Sequence, residues 1–526
     1  MKQLINRSLK HLQVVVLAVP VLFASCTKEF PEINTDQNSI AVVGPSEIPF
    51  LFSKAQSTAI NSQWNYQVAQ NLFADQYAQY FACTATYFPS DRLNIVMGWV
   101  GAAFNPMYTA VMPQLQTIFE RSDPSSAEYA LANIWWVYTF HRITDYWGPI
   151  PYFSAGQPGT SVPYDAQDKI YDDFFKRLTE AIGILKGKTG ETPYGSYDLM
   201  YGGSVSKWIK FGSTLRLRLA MRISNVDPSR AKTEAEAAVA DGVLATSPDD
   251  DALVQRSTKG GDGNGLSIMS DWNEFRMSAS MESVLKGYDD PRMPVYFLPT
   301  EATGTYEGLR NGLTATQLGE TINDYKNNSH VGSRWTSTAY AGGIATHLET
   351  PQNVMSTAEA YFLRAEGALL GWNMNGTAQD LYEAGITNSL KQWGITDDAT
   401  INAYKNSTAT PVAPGDYLSS PAMTNIPVKF GAATEVQKEQ IATQKWLAMF
   451  PDGMEAWADY RRSRLPKLYP PANSENPDIP DPTVKWIRRI PFLASEKEVN
   501  GEEVEKAVGL LGGEDKVTTP LWWDKN

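Results

Sequence analysis

Residues 204–242 read SVSKWIKFGSTLRLRLAMRISNVDPSRAKTEAEAAVADG. Trp208, Phe211, Leu215 and Leu219 recur at steps of three and four, which places them on one face of an α-helix. Asp227-Pro228 then offers an N-cap followed by the residue best suited to a first helical turn, and Gly242 stands where a helix can end. The stretch therefore predicts two helices, about 204–223 and 228–241, joined by a short connection.

The same pattern recurs on both sides. Ile170, Phe174, Leu178, Ile182 and Leu185 form one stripe, and Ala358, Tyr361, Phe362, Ala365, Leu369 and Trp372 another. Ser125 with Glu128, Ser356 with Glu359 and Thr434 with Gln437 have the spacing of a capping box. Four helix pairs follow, within about 64–121, 127–187, 204–241 and 356–392. Setting small residues (Ala365, Ala368, Gly371) against large ones is the habit of tetratricopeptide repeats, although no exact 34-residue period is present. Such pairs cannot bury their faces alone, so neighbours must stack into one scaffold. The fold class expected is mostly α, with tetratricopeptide-like pairs as scaffold. An irregular, loop-rich region over about 245–355 and 394–433 would carry short strands. Loops of this length are usually functional or disordered, and their many aromatics argue against disorder.

The N-terminus predicts a location. Lys2, Arg7 and Lys10 precede an apolar run from Val14 to Ala24 that is too short to span a bilayer, and Phe23-Ala24-Ser25-Cys26 sets small residues before a cysteine. Residues 1–25 read as a signal peptide. Cys26 sits as the acylated cysteine of a bacterial lipobox does, with Phe23 in place of the usual leucine. Thr27-Lys28-Glu29 resembles the surface-export signal of Bacteroidetes lipoproteins. The alternative is a plain secreted protein with a chance cysteine. One acyl chain holds only marginally, at about 0.8 kcal/mol per buried methylene, so stable anchoring needs multiple acylation. Residues 26–46 read as a lipidated tether and 47–526 as one domain.

Composition narrows the ligands. The chain has 526 residues and a net charge of −13, which becomes −16 when Lys2, Arg7 and Lys10 leave with the signal. An acidic body argues against nucleic acid, which is bound through basic groups. Cys26 and Cys83 are the only cysteines, so a lipidated Cys26 excludes an internal disulfide, and Cys83 beside Tyr80-Phe81-Ala82 reads as a small buried hydrophobe. With 15 Trp, 25 Tyr and 20 Phe, some aromatics outside the helix stripes become candidate ligand platforms.

Several segments, in order, resemble the SusD/RagB family of outer-membrane nutrient-binding lipoproteins. They are Thr144-Asp145-Tyr146-Trp147-Gly148-Pro149, Lys207-Trp208 through Leu215-Arg216-Leu217-Arg218 to Arg222, and Asp290-Pro291-Arg292. Tyr306-Glu307-Gly308 with Asn311-Gly312, Ala358-Glu359 through Arg364-Ala365-Glu366, and Tyr382-Glu383 to Ile386 follow. Gln444-Lys445-Trp446, Pro451-Asp452-Gly453, Glu455-Ala456-Trp457 to Arg462, and Leu521-Trp522-Trp523-Asp524 complete the set. Gln37 departs from the proline usual in the family's Asn-x-Asp-Pro-Asn stretch. The resemblance implies four tetratricopeptide-like pairs in a single domain. It also implies a lid on a SusC-like TonB-dependent outer-membrane transporter, capturing oligosaccharides or in some cases peptides without catalysis, anchored by lipid at the cell surface.

The motif residues themselves read as structural. Trp446 and Trp457 lie near amphipathic helix patterns, and Arg216, Arg218 and Arg222 invite pairing with acids such as Glu359 and Glu366. A sugar presents an apolar C–H face and a hydroxyl rim, which aromatic and amide or charged side chains on loops can match. Trp335, Trp99, Tyr87, Asn94, Arg334, Tyr340 and Trp272 are the glycan-binding candidates, each equally open to a reading as a plug of its loop. As an exposed platform, Trp335 would lose ligand on mutation to alanine without a lower melting temperature. No cofactor or metal is expected: Gly260-Gly261-Asp262-Gly263-Asn264-Gly265 lacks both the dinucleotide fingerprint and EF-hand spacing and reads as a flexible turn, and Asp249-Asp250-Asp251 as a solvated acidic one. The rival from another class is an extracytoplasmic glycosidase, which needs paired carboxylates in a cleft. No His-Glu-x-x-His or Gly-x-Ser-x-Gly box is present.

Overall fold

The computed structural model describes residues 44–61, 63–159, 161–337 and 347–525. The signal peptide, Cys26 and most of the expected tether lie outside them, as does Tyr340. Helix Val205–Arg222 is followed by Pro228–Asp241, where the Asp227 carboxylate accepts the Arg230 N–H at 3.1 Å and Gly242 leaves the helix at φ 96°. Ala127–Trp147 packs on Gln167–Lys186, and Thr357–Leu369 on Ala378–Gln392. The Ser356 hydroxyl accepts the Glu359 N–H at 3.2 Å, as its spacing predicts.

Two caps differ. The helix expected from Ser125 starts one residue later on Ser126, because Asp123 holds both the backbone N–H and the hydroxyl of Ser125 in its own turn, at 2.7 and 2.8 Å. Thr434 is already inside its helix, Thr434–Met449, which begins without a side-chain cap. The first pair is less regular than its sequence stripe suggests. Gln63–Tyr66 runs on as wide π-type turns over Gln67–Asp75, and Gly101–Pro106 as π-type turns over Met107–Val111 before Met112–Arg121. Pro106 lacks the N–H that a regular helix would use there.

The scaffold closes around buried charge. Arg218 grips Glu359 with two parallel bonds of 2.6 and 2.7 Å, and both side chains are 2% exposed. Arg222 reaches Glu455 at 2.6 Å and Asp145 at 3.2 Å, and Asp145 also accepts the Trp523 indole N–H at 2.8 Å. Arg462 and Lys445 share Glu366 and Asp459. Arg292 is fully buried on Asp290, Ser389 and Gln444. Trp446 and Trp457 are 1% exposed. The identifying motifs thus tie helices distant in sequence to one another. Such bidentate pairs supply direction, and removing one partner strands a buried charge.

The loop-rich region holds more helix than expected, including Gly265–Ser270, Ala279–Gly287 and Asp398–Lys405. Its strands are short: Phe81–Cys83 pairs antiparallel with Phe275–Met277, and Ala252–Val254 with Gln352–Met355. Two sequence readings are corrected here. Asp250 and Asp251 are buried, not solvated. Lys210 and the Ala245 and Thr246 N–H groups hold Asp250, and Ser247 and the Thr357 N–H hold Asp251. The glycine-rich stretch is a clasp: Asp262 pairs with Arg256 at 2.8 Å, and Asn264 caps Gly265–Ser270. Residues 49–526 form one compact unit. No helix among the described residues is long and apolar enough to cross a membrane.

Candidate functional site

Strand register assembles the surface that best fits a ligand. Cys83 lies opposite Phe275. The ladder continues as the Thr84 N–H donates to the Glu274 carbonyl at 3.0 Å and the Thr84 hydroxyl to the Asn273 carbonyl at 2.5 Å. The loop after Cys83 therefore runs beside the loop before Phe275. A third segment joins them where the Gln63 N–H donates to the Gly263 carbonyl at 3.1 Å. A Cβ at Gly265 would overlap the Tyr66 ring, so only glycine allows this approach.

The convergence stacks Trp64 on Trp272, with centroids 5.2 Å apart and planes 14° from parallel. Trp64 remains 64% exposed. One turn on, Gln67 donates to one Glu274 carboxylate oxygen at 2.5 Å, and the Tyr87 hydroxyl donates to the other. Tyr87 is 66% exposed and meets Phe88 edge-on at 4.6 Å, and Phe88 meets Trp99 edge-on at 5.5 Å. Partial desolvation and the Glu274 carboxylate push the Tyr87 hydroxyl up to about 12, so it stays a donor across the physiological range. Behind this ledge Leu72, Cys83, Ala85 and Phe88 pack together, with Val68 and Trp99 against them. Cys83 is 2% exposed, the small hydrophobe its neighbours predicted.

Polar anchors hold both loops. The Asn311 amide donates to the Phe81 carbonyl at 2.9 Å and to Asp91 at 2.8 Å, which fixes the loop carrying Tyr87 and Trp99. Asn273 sits at φ 57°, and Arg276 donates to its side-chain oxygen at 2.7 Å. The Asp271 carboxyl is pushed up by burial, and its Oδ2 meets no protein partner. Flat rings beside amide and carboxylate groups can stack on the C–H face of a ring ligand and bond its rim. No cluster of three His, Cys, Asp or Glu side chains able to hold a metal occurs among the described residues.

The sequence candidates divide. Tyr87, Trp99 and Trp272 come together on the ledge, and Asn94 lies half-buried in the same loop. Trp335 is corrected. It is 3% exposed and packs on Trp393 and Phe450, each at 5.8 Å, so it is no exposed platform. Arg334 lies half-buried over the Trp393 ring at 4.9 Å. Both follow the chain inward after the Phe297–Val331 bridge, a pairing no local pattern announces. Trp64, Gln67 and Glu274 were missed. Trp64 stands at the start of the first expected helix pair, about 64–121, although Gln63 and Asn65 beside it are polar.

The chain matches the family model described as SusD and RagB outer membrane lipoprotein over residues 35–524. Among solved structures, it is 35% identical to a chitin-binding SusD homolog from Flavobacterium johnsoniae, covering 91% of this chain and 98% of that one, with a TM-score of 0.80. A SusD homolog from Bacteroides uniformis is 33% identical over 92% and 100% of the two chains, with a TM-score of 0.81. One from Bacteroides vulgatus is 31% identical over 91% and 98%, also at 0.81. No curated protein matches. Motifs, mostly helical fold and near full-length similarity agree: the chain belongs to the SusD-like family.

Proposed function

We propose that this chain captures a neutral glycan on the Trp64–Trp272–Tyr87–Trp99 ledge and passes it unchanged to a SusC-like TonB-dependent transporter. In this reading residues 1–25 are removed and Cys26 carries the lipid that anchors the protein in the outer membrane. Residues 26–46 form the tether, and residues 47–526 stand at the cell surface. The observation that carries the reading is the exposed stack of Trp64 on Trp272. Trp64 at 64% and Tyr87 at 66% exposed belong to a run of aromatics with Trp272, Phe88 and Trp99, rimmed by Gln67 and Glu274, and contiguous apolar surface with a polar rim is the mark of a binding site. Net acidity favours neutral over anionic glycans. The relative described as chitin-binding makes chito-oligosaccharides the first probe.

The hydrolase reading retains one supporting observation. Asp271, its carboxyl pushed up by burial, and Glu274 lie on one loop beside the stacked tryptophans. A glycosidase pairs a protonated acid with an ionised one. Glu274, however, is committed to Gln67 and Tyr87.

One experiment separates the readings. Pure protein is titrated with a panel of neutral oligosaccharides, chito-oligosaccharides first, and the mixtures are then analysed for cleavage. Binding with intact sugar is expected. Shortened products that vanish in Asp271→Asn would favour the hydrolase, and no binding by any member of the panel would remove the glycan reading.

A further inference from the structure

A second opening, lined by no ledge residue, has a volume of about 190 Å³. Its walls are Trp457, Tyr460, Tyr469 and the rings of Pro470 and Pro482, and Gln76 and Tyr77 line it where the first scaffold helix ends. Pro470 and Thr483 are exposed and mark its mouth. This space is far above the 10–15 Å³ that one water needs.

Its polar atoms are unusual. Gln76 is 3% exposed, yet neither atom of its amide meets a protein partner. The Tyr77 hydroxyl and the Trp486 indole N–H, which line the same opening, meet none either. Gln76 aside, the carboxylate, amide and guanidinium groups nearest it are committed. Asp91 accepts from Asn311 and from the Cys83 N–H, Gln79 donates to the Tyr469 carbonyl, and Arg464 beside Trp486 is held by Asp524 at 2.7 Å. Buried polar groups normally find partners within the protein or in what they bind. The four atoms left over are neutral and comprise donors, an acceptor and a hydroxyl that can be either.

We propose that this opening is a binding site for one neutral, hydroxyl-bearing ring, a single sugar unit, separate from the ledge. The aromatic and proline walls suit its C–H faces, and the Gln76, Tyr77 and Trp486 atoms suit its hydroxyls. A charged ligand would find no uncommitted counter-charge, and a purely apolar one would leave all four atoms unmet. The site does not depend on the ledge and stands or falls by itself.

Ligand-observed NMR on the full chain tests it, with the methyl glycosides of glucose, galactose and N-acetylglucosamine as probes and acetate as a charged control. At least one glycoside should bind at millimolar concentration, and acetate should not. Gln76→Leu and Trp486→Phe should each weaken it by about tenfold or more, the usual consequence of removing a buried hydrogen-bonding group. The same dependence on Gln76 and Trp486 should persist in a Trp64→Ala background, where the ledge no longer contributes to the signal. Gln76→Leu should melt no lower than the parent, because it deletes polar atoms that the fold does not use. The proposal is overturned by no glycoside binding, by binding that follows Trp64 instead of Gln76, by preference for acetate, or by a sharp loss of stability in Gln76→Leu.

Discussion

Trp64→Ala should cost the protein its glycan and leave the fold in place. Truncating a fully buried tryptophan costs about 3–5 kcal/mol. Trp64 is 64% exposed, so about a third of that figure applies, roughly 1–1.7 kcal/mol, of the same order as the stacked contact with Trp272. At about 2–4 °C per kcal/mol for a domain smaller than this one, the melting temperature should fall by only a few degrees. A ring that acts as a binding anchor is worth about 2 kcal/mol or more, roughly a 30-fold change in Kd.

Calorimetric titration of the wild type, Trp64→Ala, Trp272→Ala and the double variant, with the best oligosaccharide of the panel, measures this directly. Because the two rings form one stack, their losses should not add, and the second substitution should do less in the background of the first. Affinity retained within about twofold in Trp64→Ala would refute the ledge as the site. A fall of many degrees in melting temperature would show that Trp64 belongs to the core, and the reasoning from exposure would fail with it.

Trp335→Ala should behave in the opposite way, losing about 3–5 kcal/mol in urea unfolding with unchanged affinity per folded molecule, because Trp335 fills space against Trp393 and Phe450. Arg218→Met should destabilise by about 3–5 kcal/mol by stranding the buried Glu359, and adding Glu359→Met should restore much of it; a double variant worse than the single would contradict this. Burial lifts the Asp75 carboxyl from 3.8 to about 7, against the hydrogen bonds from Gln70, Tyr66 and Asn71 that favour its ionised form. The unfolded chain then releases this proton near pH 4 while the folded one keeps it to about 7, so stability should fall by about 4 kcal/mol across that window, at about 1.4 kcal/mol per pH unit. Unfolding free energies of wild type and Asp75→Asn between pH 4 and 8 check it: the variant should lack that share of the fall.

What the sequence disclosed follows from the range of the forces involved. A helix stripe such as Trp208, Phe211, Leu215 and Leu219 is a local object, and so is the Asp227-Pro228 start, so both can be read before any fold is known. The ledge is not local. The loops of Tyr87 and Trp272 run side by side because Phe81–Cys83 pairs in one register with Phe275–Met277, about 190 residues away, and Trp64 joins them through the Gln63 N–H to the Gly263 carbonyl. A shift of one residue would turn each side chain to the other face. Trp335 misled for the same reason, since a tryptophan between polar neighbours in a long loop looks exposed until Trp393 and Phe450 arrive to cover it. Asp249-Asp250-Asp251 looked solvated because its partners, Lys210 and the Thr357 N–H, come from elsewhere in the chain.

The same division explains why family membership is easy to recognise and ligand choice is not. The motif residues Arg218, Glu359, Arg222, Glu455, Arg462 and Glu366 answer to one another inside the scaffold, where replacing any one strands a buried charge. Each is therefore constrained by a partner that is itself constrained. Trp64 and Tyr87 are bound by no such reciprocity: both are more than half exposed, and exchanging them disturbs little beneath. A frame held by interlocking interior charges can carry different surfaces at small energetic cost, so identity in the motifs says little about what the ledge accepts. Here the ligand class has to be argued from Trp64, Trp272, Glu274 and Tyr87 themselves, whose chemistry suits a neutral, hydroxyl-rimmed ring.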